Sequence, residues 1–232
     1  MTKRIWITLA VAIVFALILF FPLRLAISLV GGENTGISAR NISGTIWGGR
    51  AEEVRIGAID LGSLDIGLDP VSLLAANLTL RFTRTEGAPD APLSGAIILG
   101  PNHRALDHVT GLIRGLESPI DGLMLDDFSV RFADGRCSQA NGRIQAKLAM
   151  NIAGLDLRHG LSGTATCRND ALFVPLLGQS GMERINVSVD GDGRYTAALS
   201  IRSPDPMLAA ALAATGLTAT NDGFGMTLRG QF

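Results

Sequence analysis

Residues 185–201 read INVSVDGDGRYTAALSI, and this stretch decides the fold class. Apolar residues occupy alternate positions from Ile185 to Val189, and after the Asp/Gly-rich segment 190–193 the alternation resumes at Tyr195. A period of two places every second side chain on the same face of a strand. Two such segments joined by a short Asp/Gly turn are typical of a β-hairpin. The stretch therefore predicts two antiparallel strands.

The same alternation recurs along most of the chain. Further alternating segments lie at 54–61, 64–68, 77–83, 123–132, 144–152 and 224–232. The phase changes at Gly62 and Ser63, and a one-residue slip reverses the two faces of a strand, so we expect a bulge or tight turn there. It changes again across Asp126 and Asp127. The sequence predicts a mainly β chain with an antiparallel, curved sheet and few short helices.

Helical signals are few. Asp69 and Pro70 introduce a helix of one or two turns. Segment 101–114 is ambiguous, because its apolar residues fit helical spacing while its glycine weakens a helix. The strongest helical signal is 206–215, which is Ala-rich and is followed by Gly216 as a left-handed cap. We expect this short apolar helix to pack on the sheet.

The N-terminus predicts a membrane anchor. Residues 5–23 form a 19-residue run without charge, which as a helix spans about 28 Å, close to the hydrocarbon thickness of a bilayer. Lys3 and Arg4 precede the run and hold that end in the cytoplasm by the positive-inside tendency. Trp6 near one end suits an interfacial position.

The alternative to an anchor is a cleaved signal peptide, because residues 26–28 loosely resemble a cleavage site. The apolar run is longer than the apolar region of most signal peptides, which favours the anchor. The expected organisation is a cytoplasmic tail at 1–4, an inner-membrane anchor and exit at 5–30, and a periplasmic β-rich domain at 31–232.

The charge balance argues against nucleic-acid binding. The whole chain has a formal net charge of -1, and after residue 30 it holds 17 basic against 21 acidic residues. Non-specific affinity for phosphate backbones comes mainly from clustered Lys and Arg. We therefore expect no nucleic-acid partner.

Two cysteines, Cys137 and Cys167, lie beyond the apolar run. An even pair in an exported domain is more often a disulfide than two thiols, and no neighbouring His or Cys completes a zinc site. The alternative is a pair of buried thiols. We expect a disulfide, which would stabilise the fold by roughly 3 to 4 kcal/mol.

Catalytic signatures are absent from the sequence. It contains no phosphate-binding loop, dinucleotide fingerprint or zinc-protease motif. Ser162 and Ser180 lie in segments one residue short of a nucleophile elbow, and Asp190 and Asp192 resemble a calcium loop that lacks its later ligands. The three histidines are His103, His108 and His159. Since none has a partner ligand in the sequence, we expect no enzyme, no cofactor and no metal site.

Residues 44–51 read GTIWGGRA, followed by LGSL at 61–64 and PVSLL at 70–74. This series resembles the type II secretion system protein N family, whose members carry a Gly-Thr-hydrophobic-Trp-small-Gly-Arg-Ala segment that leads into a similar strand and a Pro-x-Ser-Leu-Leu turn. The order of a short tail, one span and a sheet-rich domain with two late cysteines is also similar to that family.

The resemblance implies an inner-membrane accessory component of the apparatus that moves folded exoproteins across the outer membrane, with other inner-membrane and periplasmic components of that system as its partners. It implies no catalytic residues. A second hypothesis is a lipid- or lipopolysaccharide-handling bridge protein whose apolar sheet face shelters acyl chains, since an antiparallel sheet normally buries one face.

The family motif supplies the candidate site residues, which are Gly44, Thr45, Trp47, Gly49 and Arg50. The glycines permit a sharp turn or a close approach of two backbones. Trp47 either plugs one end of the sheet or forms a contact surface for a partner, because Trp and Arg are common interface anchors. The sequence leaves both interpretations open.

Overall fold

The computed structural model describes residues 2–30, 37–57, 59–86, 92–114, 120–148, 160–202, 217–220 and 223–231. Within these ranges the chain forms three helices, α1 (Thr2–Leu19), α2 (Leu23–Val30) and α3 (Pro70–Leu74). The first strands are β1 (Ile37–Ser38), β2 (Asn41–Thr45), β3 (Gly48–Ile56), β4 (Ile59–Leu68), β5 (Leu78–Glu86), β6 (Ser94–Leu99), β7 (His103–Arg114) and β8 (Ile120–Ala133). The others are β9 (Arg136–Leu148), β10 (Leu161–Thr164), β11 (Thr166–Arg168), β12 (Ala171–Gly178), β13 (Glu183–Val189), β14 (Arg194–Ile201), β15 (Thr218–Thr220) and β16 (Gly223–Gln231).

The strands form one antiparallel sheet in which neighbours in the chain are usually neighbours in the sheet. From β3 to β10 each strand pairs with the next, and β12, β13 and β14 continue the series. The short strands β1 and β2 both pair with β3, one after the other, and together act as one interrupted strand. The short strands β10 and β11 pair with β12 in the same way. At the far end β16 lies between β14 and β15. The predicted antiparallel sheet is confirmed.

One face of the sheet, which we call the apolar face, carries the main core. Ladder partners such as Leu125 with Ile144 and Val174 with Val187 place apolar side chains from neighbouring strands side by side. The buried cluster on this face includes Leu125, Phe128, Val130, Ile144, Ala146, Leu161, Leu172, Val174 and Leu176. A smaller cluster of Ala51, Val54 and Leu64 lies between β3 and β4. Burial of these side chains is the principal favourable term that holds the strands together.

The expected bulge in β4 is present. Gly62 has a φ of 73°. In the ladder of β4 with β3, Val54 pairs with Gly62 and Arg55 pairs with Asp60, which leaves one extra residue in β4 at position 61. The second phase change is also a register shift, since the ladder of β8 with β9 is interrupted between Asp126 and Ser129. Both shifts restore apolar side chains to the apolar face after one residue has been inserted.

The short helix at Asp69 is confirmed as α3, and the Val71 amide donates to Asp69 Oδ1 at 3.0 Å. The ambiguous segment 101–114 is strand rather than helix, because Leu106, Val109 and Ile113 follow strand spacing once a bulge at His108 is counted. The predictions for 31–36, 149–152 and 206–215, together with His159, lie outside the described residues.

Strand β12 is not evident from the sequence, because it contains Pro175. A proline has no amide hydrogen to donate and is normally confined to edges and bulges. Pro175 pairs with Asn186 of β13 on one side. On its other side it faces the interruption between β10 and β11, where the Ala165 amide instead donates to the Gly142 carbonyl oxygen at 3.0 Å. The missing donor therefore falls where the ladder is already broken.

Arg84 of β5 acts as a polar cross-link within the sheet. Its Nε donates to the Leu61 carbonyl oxygen at 2.7 Å and its Nη1 donates to the Leu112 carbonyl oxygen at 3.0 Å. Desolvation lowers the pKa of Arg84 from its ordinary value, although the charge of Asp60 opposes this effect. The side chain thus ties β4, β5 and β7 together.

The N-terminal region is helical but not continuously so. Helix α1 ends at Leu19, and α2 begins at Leu23 after Pro22. Proline cannot donate to the preceding turn, and it disfavours helical geometry in the residue before it. Among the described residues, no helix combines the length and the apolar character that crossing a membrane requires. The expected single span stays a prediction.

Candidate contact surface at the β2–β3 hairpin

The family motif forms a tight hairpin. Strands β2 and β3 pair from Asn41 with Glu52 to Thr45 with Gly48, which leaves Ile46 and Trp47 as a two-residue turn. Gly44 lies directly opposite Gly49 and has a φ of 88°. Residues that carry a side chain rarely adopt that backbone conformation, so the turn depends on glycine at position 44.

The hairpin turn is held from two sides. The Ile46 amide donates to the Phe21 carbonyl oxygen at 3.1 Å, and the Leu68 amide donates to the Ile46 carbonyl oxygen at 2.9 Å. Thr45 also forms an isolated bridge with Pro22. The first helical residue after that bridge, Leu23, is only 4% exposed. The motif therefore joins the N-terminal helices to the end of β4.

The other face of the hairpin is open. Ser43, Gly48 and Gly67 line a groove of about 520 Å³ that is flanked by Arg50 and Arg81. Arg50 Nε donates to Asp65 Oδ1 at 2.8 Å, and Arg81 Nη2 contacts Asp69 Oδ2 at 2.7 Å. Such surface pairs add about 0 to 1 kcal/mol, so their main effect is to fix the two guanidinium groups beside the groove.

Trp47 occupies the turn itself and is half-buried. Among the described residues, it belongs neither to the core cluster of the apolar face nor to the smaller cluster between β3 and β4. The structure brings together all five candidate residues of the motif, namely Gly44, Thr45, Trp47, Gly49 and Arg50. A half-buried Trp in a backbone-pinned turn beside an open groove has the chemistry of an interface anchor.

The two cysteines form a disulfide, as expected, with a Cα–Cα distance of 5.5 Å. It joins β9 to β11 far along the chain from the motif. Among the described residues, β11 pairs with β12 but β9 pairs only with β8 and β10. The disulfide therefore links two strands at a point where no backbone ladder joins them. A backbone hydrogen bond lies beside it, because the Cys137 amide donates to the Asp170 carbonyl oxygen at 2.7 Å.

The acidic segment after β13 is a hairpin turn. Asp190 Oδ1 accepts from the Arg194 amide at 2.9 Å, and Asp190 Oδ2 accepts from Arg194 Nε at 2.8 Å. Desolvation acts to raise the pKa of Asp190, but the hydrogen bonds from the side chain and amide of Arg194 and from the Asp192 amide outweigh it and lower that pKa. The carboxylates of both Asp190 and Asp192 accept hydrogen bonds from the Arg194 side chain, which stabilises the turn.

Neither serine near-motif has the geometry of a nucleophile elbow. Ser162 lies within β10 and pairs with Gln145 and Leu177. Ser180 lies in the turn between β12 and β13, where its Oγ donates to the buried carboxylate of Glu183. Among the described residues, no group of three or more His, Cys, Asp or Glu side chains is arranged to hold a metal ion.

One electrostatic pair is not evident from the sequence. His108 of β7 and Asp127 of β8 are both bulged residues with φ of 48° and 49°. His108 Nδ1 lies 2.5 Å from Asp127 Oδ1. That hydrogen bond, and then the charges of Asp107 and Asp127, raise the pKa of His108. The only sequence signal is the phase change at Asp126 and Asp127, since the bulge at position 108 has no distinctive residue pattern.

A model of the protein family described as type II secretion system (T2SS), protein N matches residues 35–226, which include the hairpin motif. No curated protein matches the chain, and no solved structure matches it. The resemblance carried by residues 44–74 is confirmed by the family match.

Proposed function

This chain belongs to the type II secretion system protein N family, and we propose that it is a non-catalytic, inner-membrane component that contributes to the export of folded exoproteins across the outer membrane. Membership in the family implies an accessory role in type II secretion and association with other components of that system. The match over residues 35–226 is the observation that carries the proposal.

The proposed location rests on the N-terminal sequence. Residues 5–23 are uncharged and mostly apolar, and Lys3 and Arg4 precede them. In this arrangement the sheet stands in the periplasm and its hairpin turn lies close to the membrane exit, since Phe21 and Pro22 contact Ile46 and Thr45 directly. A disulfide is in keeping with an oxidising compartment.

The proposed role is contact rather than chemistry. The feature that supports it is the open groove flanked by two oriented arginines, Arg50 and Arg81. Both arginines are paired with carboxylates of this chain, and the glycine backbone between them is exposed, so the groove suits an extended partner segment that offers backbone donors and acceptors. We expect that partner to be another secretion component.

Deletion of the gene tests the function directly. We expect exoproteins to accumulate in the periplasm, and release into the medium to return when the full chain is supplied. A further strain should express residues 20–232 behind a cleavable signal peptide. This removes most of the apolar run but keeps Phe21, Pro22 and Leu23 against the hairpin, so it separates the contribution of the anchor from that of the domain. Unchanged exoprotein release in the deletion strain would refute the proposed function.

Trp47→Ala tests the contact surface. Since Trp47 lies outside both clusters that the described residues form, we expect the variant to fold and to lose exoprotein release. The matched control is Leu177→Ala, because Leu177 is 41% exposed on β12, outside the family motif, and should be silent in both measurements. An unfolded Trp47→Ala protein, measured by circular dichroism, would instead identify Trp47 as a plug of the sheet.

A second candidate function is lipid or lipopolysaccharide handling, and the apolar face favours it. The face is well buried at β8, β9 and β12, yet large apolar side chains remain exposed towards both ends: Leu78, Leu99, Met226 and Leu228. Acyl chains could cover such a surface. Mass spectrometry of the purified full chain tests this candidate, and the absence of stoichiometric co-purified lipid would end it.

A further inference from the structure

Helix α3 exposes apolar side chains at one end of the sheet. Among the described residues that follow the N-terminal helices, the two most exposed large apolar side chains are Leu74, at 90%, and Val71, at 70%. Residues 59–86 are described without a gap, so the segments that enter and leave α3 do not cover these side chains. Isolated exposed apolar residues are ordinary, but two on one short helix form a patch that the domain itself does not bury.

Three further apolar side chains extend this patch. Leu73 on α3, Leu78 at the start of β5 and Leu99 at the end of β6 are also exposed. Leu78 and Leu99 pair directly in the ladder of β5 with β6. Residues 70–80 contain no charged side chain, so no charge interrupts the patch along α3 and the start of β5. We call this patch the apolar rim, and its residues are Val71, Leu73, Leu74, Leu78 and Leu99.

The backbone of α3 is hydrogen-bonded within its own segment. Asp69 caps the first turn. At the last turn the Ala76 amide donates to the Leu73 carbonyl oxygen at 3.0 Å. The Asn77 amide donates to the Ser72 carbonyl oxygen, also at 3.0 Å. These two bonds, with a φ of 55° at Ala76, form a Schellman motif. Backbone groups that enter hydrocarbon must be satisfied internally, so both ends of α3 are prepared for contact with lipid.

A short path of backbone hydrogen bonds connects α3 to the end of the N-terminal apolar run. The Phe21 carbonyl oxygen accepts from the Ile46 amide, and the Ile46 carbonyl oxygen accepts from the Leu68 amide. Leu68 directly precedes Asp69, the N-cap of α3. Hydrogen-bonded segments lie about 5 Å apart, so Asp69 lies within about 15 Å of Phe21. Helix α3 and the proposed membrane exit of the chain are therefore at the same end of the sheet.

We propose that α3 is a second membrane contact, which inserts Val71 and Leu74 into the periplasmic leaflet of the bilayer that holds residues 5–23. This contact rests on the proposed inner-membrane location and adds to it a lipid contact made by the folded domain. Interfacial helices bury their apolar face at the boundary between headgroups and acyl chains, which is the depth that the two side chains reach. With two points of attachment the sheet, and the hairpin groove with it, keeps one orientation above the bilayer.

The surroundings of the apolar rim favour lipid as the partner. Arg24 of α2 and Arg104 of β7 are exposed, and Arg104 lies directly opposite Leu99 in the ladder of β6 with β7. Apolar side chains flanked by basic ones are typical of segments that lie on membranes with anionic lipids. The N-terminal apolar run brings such a surface to this end of the sheet.

The anchor makes a small contact sufficient. Two apolar side chains alone bind a bilayer weakly, since even a single acyl chain gives only reversible membrane binding. Because the anchor holds α3 close to the membrane exit, insertion is an intramolecular step with a high effective concentration. Loss of insertion should therefore leave the chain in the membrane but release the domain from the membrane surface.

Lipid quenching of a fluorescent label on the full chain tests the contact. The two native cysteines are joined in a disulfide, so without reductant a thiol-reactive NBD dye labels only an introduced cysteine. The chain is reconstituted in vesicles of phosphatidylethanolamine and phosphatidylglycerol, with and without doxyl-labelled lipid. We expect the label on Leu74→Cys to be quenched. The label on Leu177→Cys should not be, since Leu177 is exposed at the other end of the strands; equal quenching at both positions would contradict a local contact.

A charge in the apolar rim provides a second measurement. The label on Val71→Cys should be quenched, and Leu74→Asp should abolish that quenching, because a carboxylate opposes entry into the apolar region. Leu74→Ile is the matched control and should retain the quenching. Since both positions are exposed, we expect every variant to fold, which circular dichroism checks. Quenching that persists in Leu74→Asp would refute insertion of the rim.

A label on Ile13→Cys tests the proposed location separately, because Ile13 lies within the apolar run. We expect quenching at both Ile13 and Leu74. Quenching at Ile13 alone would overturn the α3 contact and leave the inner-membrane location standing, whereas quenching at neither would refute both. Protection of the Leu74 label that requires another secretion component rather than lipid would assign the apolar rim to a partner protein, and it would overturn the proposal as well.

Discussion

The backbone of Gly49 lies against the side chain of Leu23. A Cβ on Gly49 would come within 2.6 Å of Leu23 Cδ2 and 2.7 Å of the Ser43 carbonyl oxygen, whereas a Cβ on Gly48 would meet nothing within 4 Å. Adjacent glycines of the same motif thus have different constraints. The contact at Gly49 is what allows α2 to start against the hairpin.

Gly49→Ala should therefore destabilise the protein and Gly48→Ala should not. The added methyl group must displace Leu23 and a backbone carbonyl, and overpacking of this kind costs about 1 to 3 kcal/mol. We expect Gly48→Ala to change the free energy of unfolding by less than about 0.5 kcal/mol. Urea denaturation of both variants measures the difference, and equal values would contradict the close approach at Gly49.

The disulfide should contribute strongly to stability. Cys137 and Cys167 enclose a sequence separation of 30, for which loss of the cross-link is expected to cost roughly 3 to 4 kcal/mol. The double variant Cys137→Ala and Cys167→Ala should show this loss in urea denaturation. Reductant should destabilise the wild-type chain and leave the double variant unaffected. Alkylation of both thiols without reductant would show that the bond is not formed.

Arg84 should matter more than its neighbour Arg81 on the same strand. Arg84→Leu leaves the Leu61 and Leu112 carbonyl oxygens without a charged donor, a loss of about 1.5 to 3 kcal/mol. Arg81 is paired with Asp69 at the surface, so Arg81→Leu should cost at most about 1 kcal/mol. Denaturation curves compare the two variants, and a reversed order would refute the cross-linking role.

The His108 and Asp127 pair predicts a pH dependence of stability. The pKa of His108 is raised in the folded state above its ordinary value of 6.5. The stabilisation is therefore complete below that unfolded-state pKa and is lost as the pH rises through the folded-state pKa. An NMR titration should find that Asp127→Asn lowers the pKa of His108. Asp121→Asn, an exposed change on the same strand, should leave it unaltered; a lowering by both would point to general charge rather than to this contact.

Several elements can be predicted because their pattern is local. Period-two alternation identifies β5, β8, β13, β14 and β16, and the phase change at Gly62 identifies the bulge in β4. The N-cap of α3 at Asp69 can likewise be predicted from the local sequence. In each case the residues that determine the structure are adjacent in sequence, so no knowledge of distant strands is needed.

The remaining features depend on contacts between distant residues. Strand β12 cannot be predicted from the local pattern because it contains Pro175. That proline is tolerated because it lies beside the gap between β10 and β11, which another part of the chain provides. Segment 101–114 fits two periods until the bulge at His108 is known. At the candidate site, the motif is identified from sequence, but its attachment to Phe21 and Pro22 is not, since nothing in the local pattern of residues 44–51 specifies which segment lies beside it.

The bridge between Pro22 and Thr45 also bears on aggregation. It lies on the outer side of β2, where an unpaired row of backbone groups would otherwise be open to a strand of another molecule. The Phe21 carbonyl oxygen, which accepts from the Ile46 amide, covers the turn next to it. The segment that leads into the sheet therefore also protects this edge against edge-to-edge association.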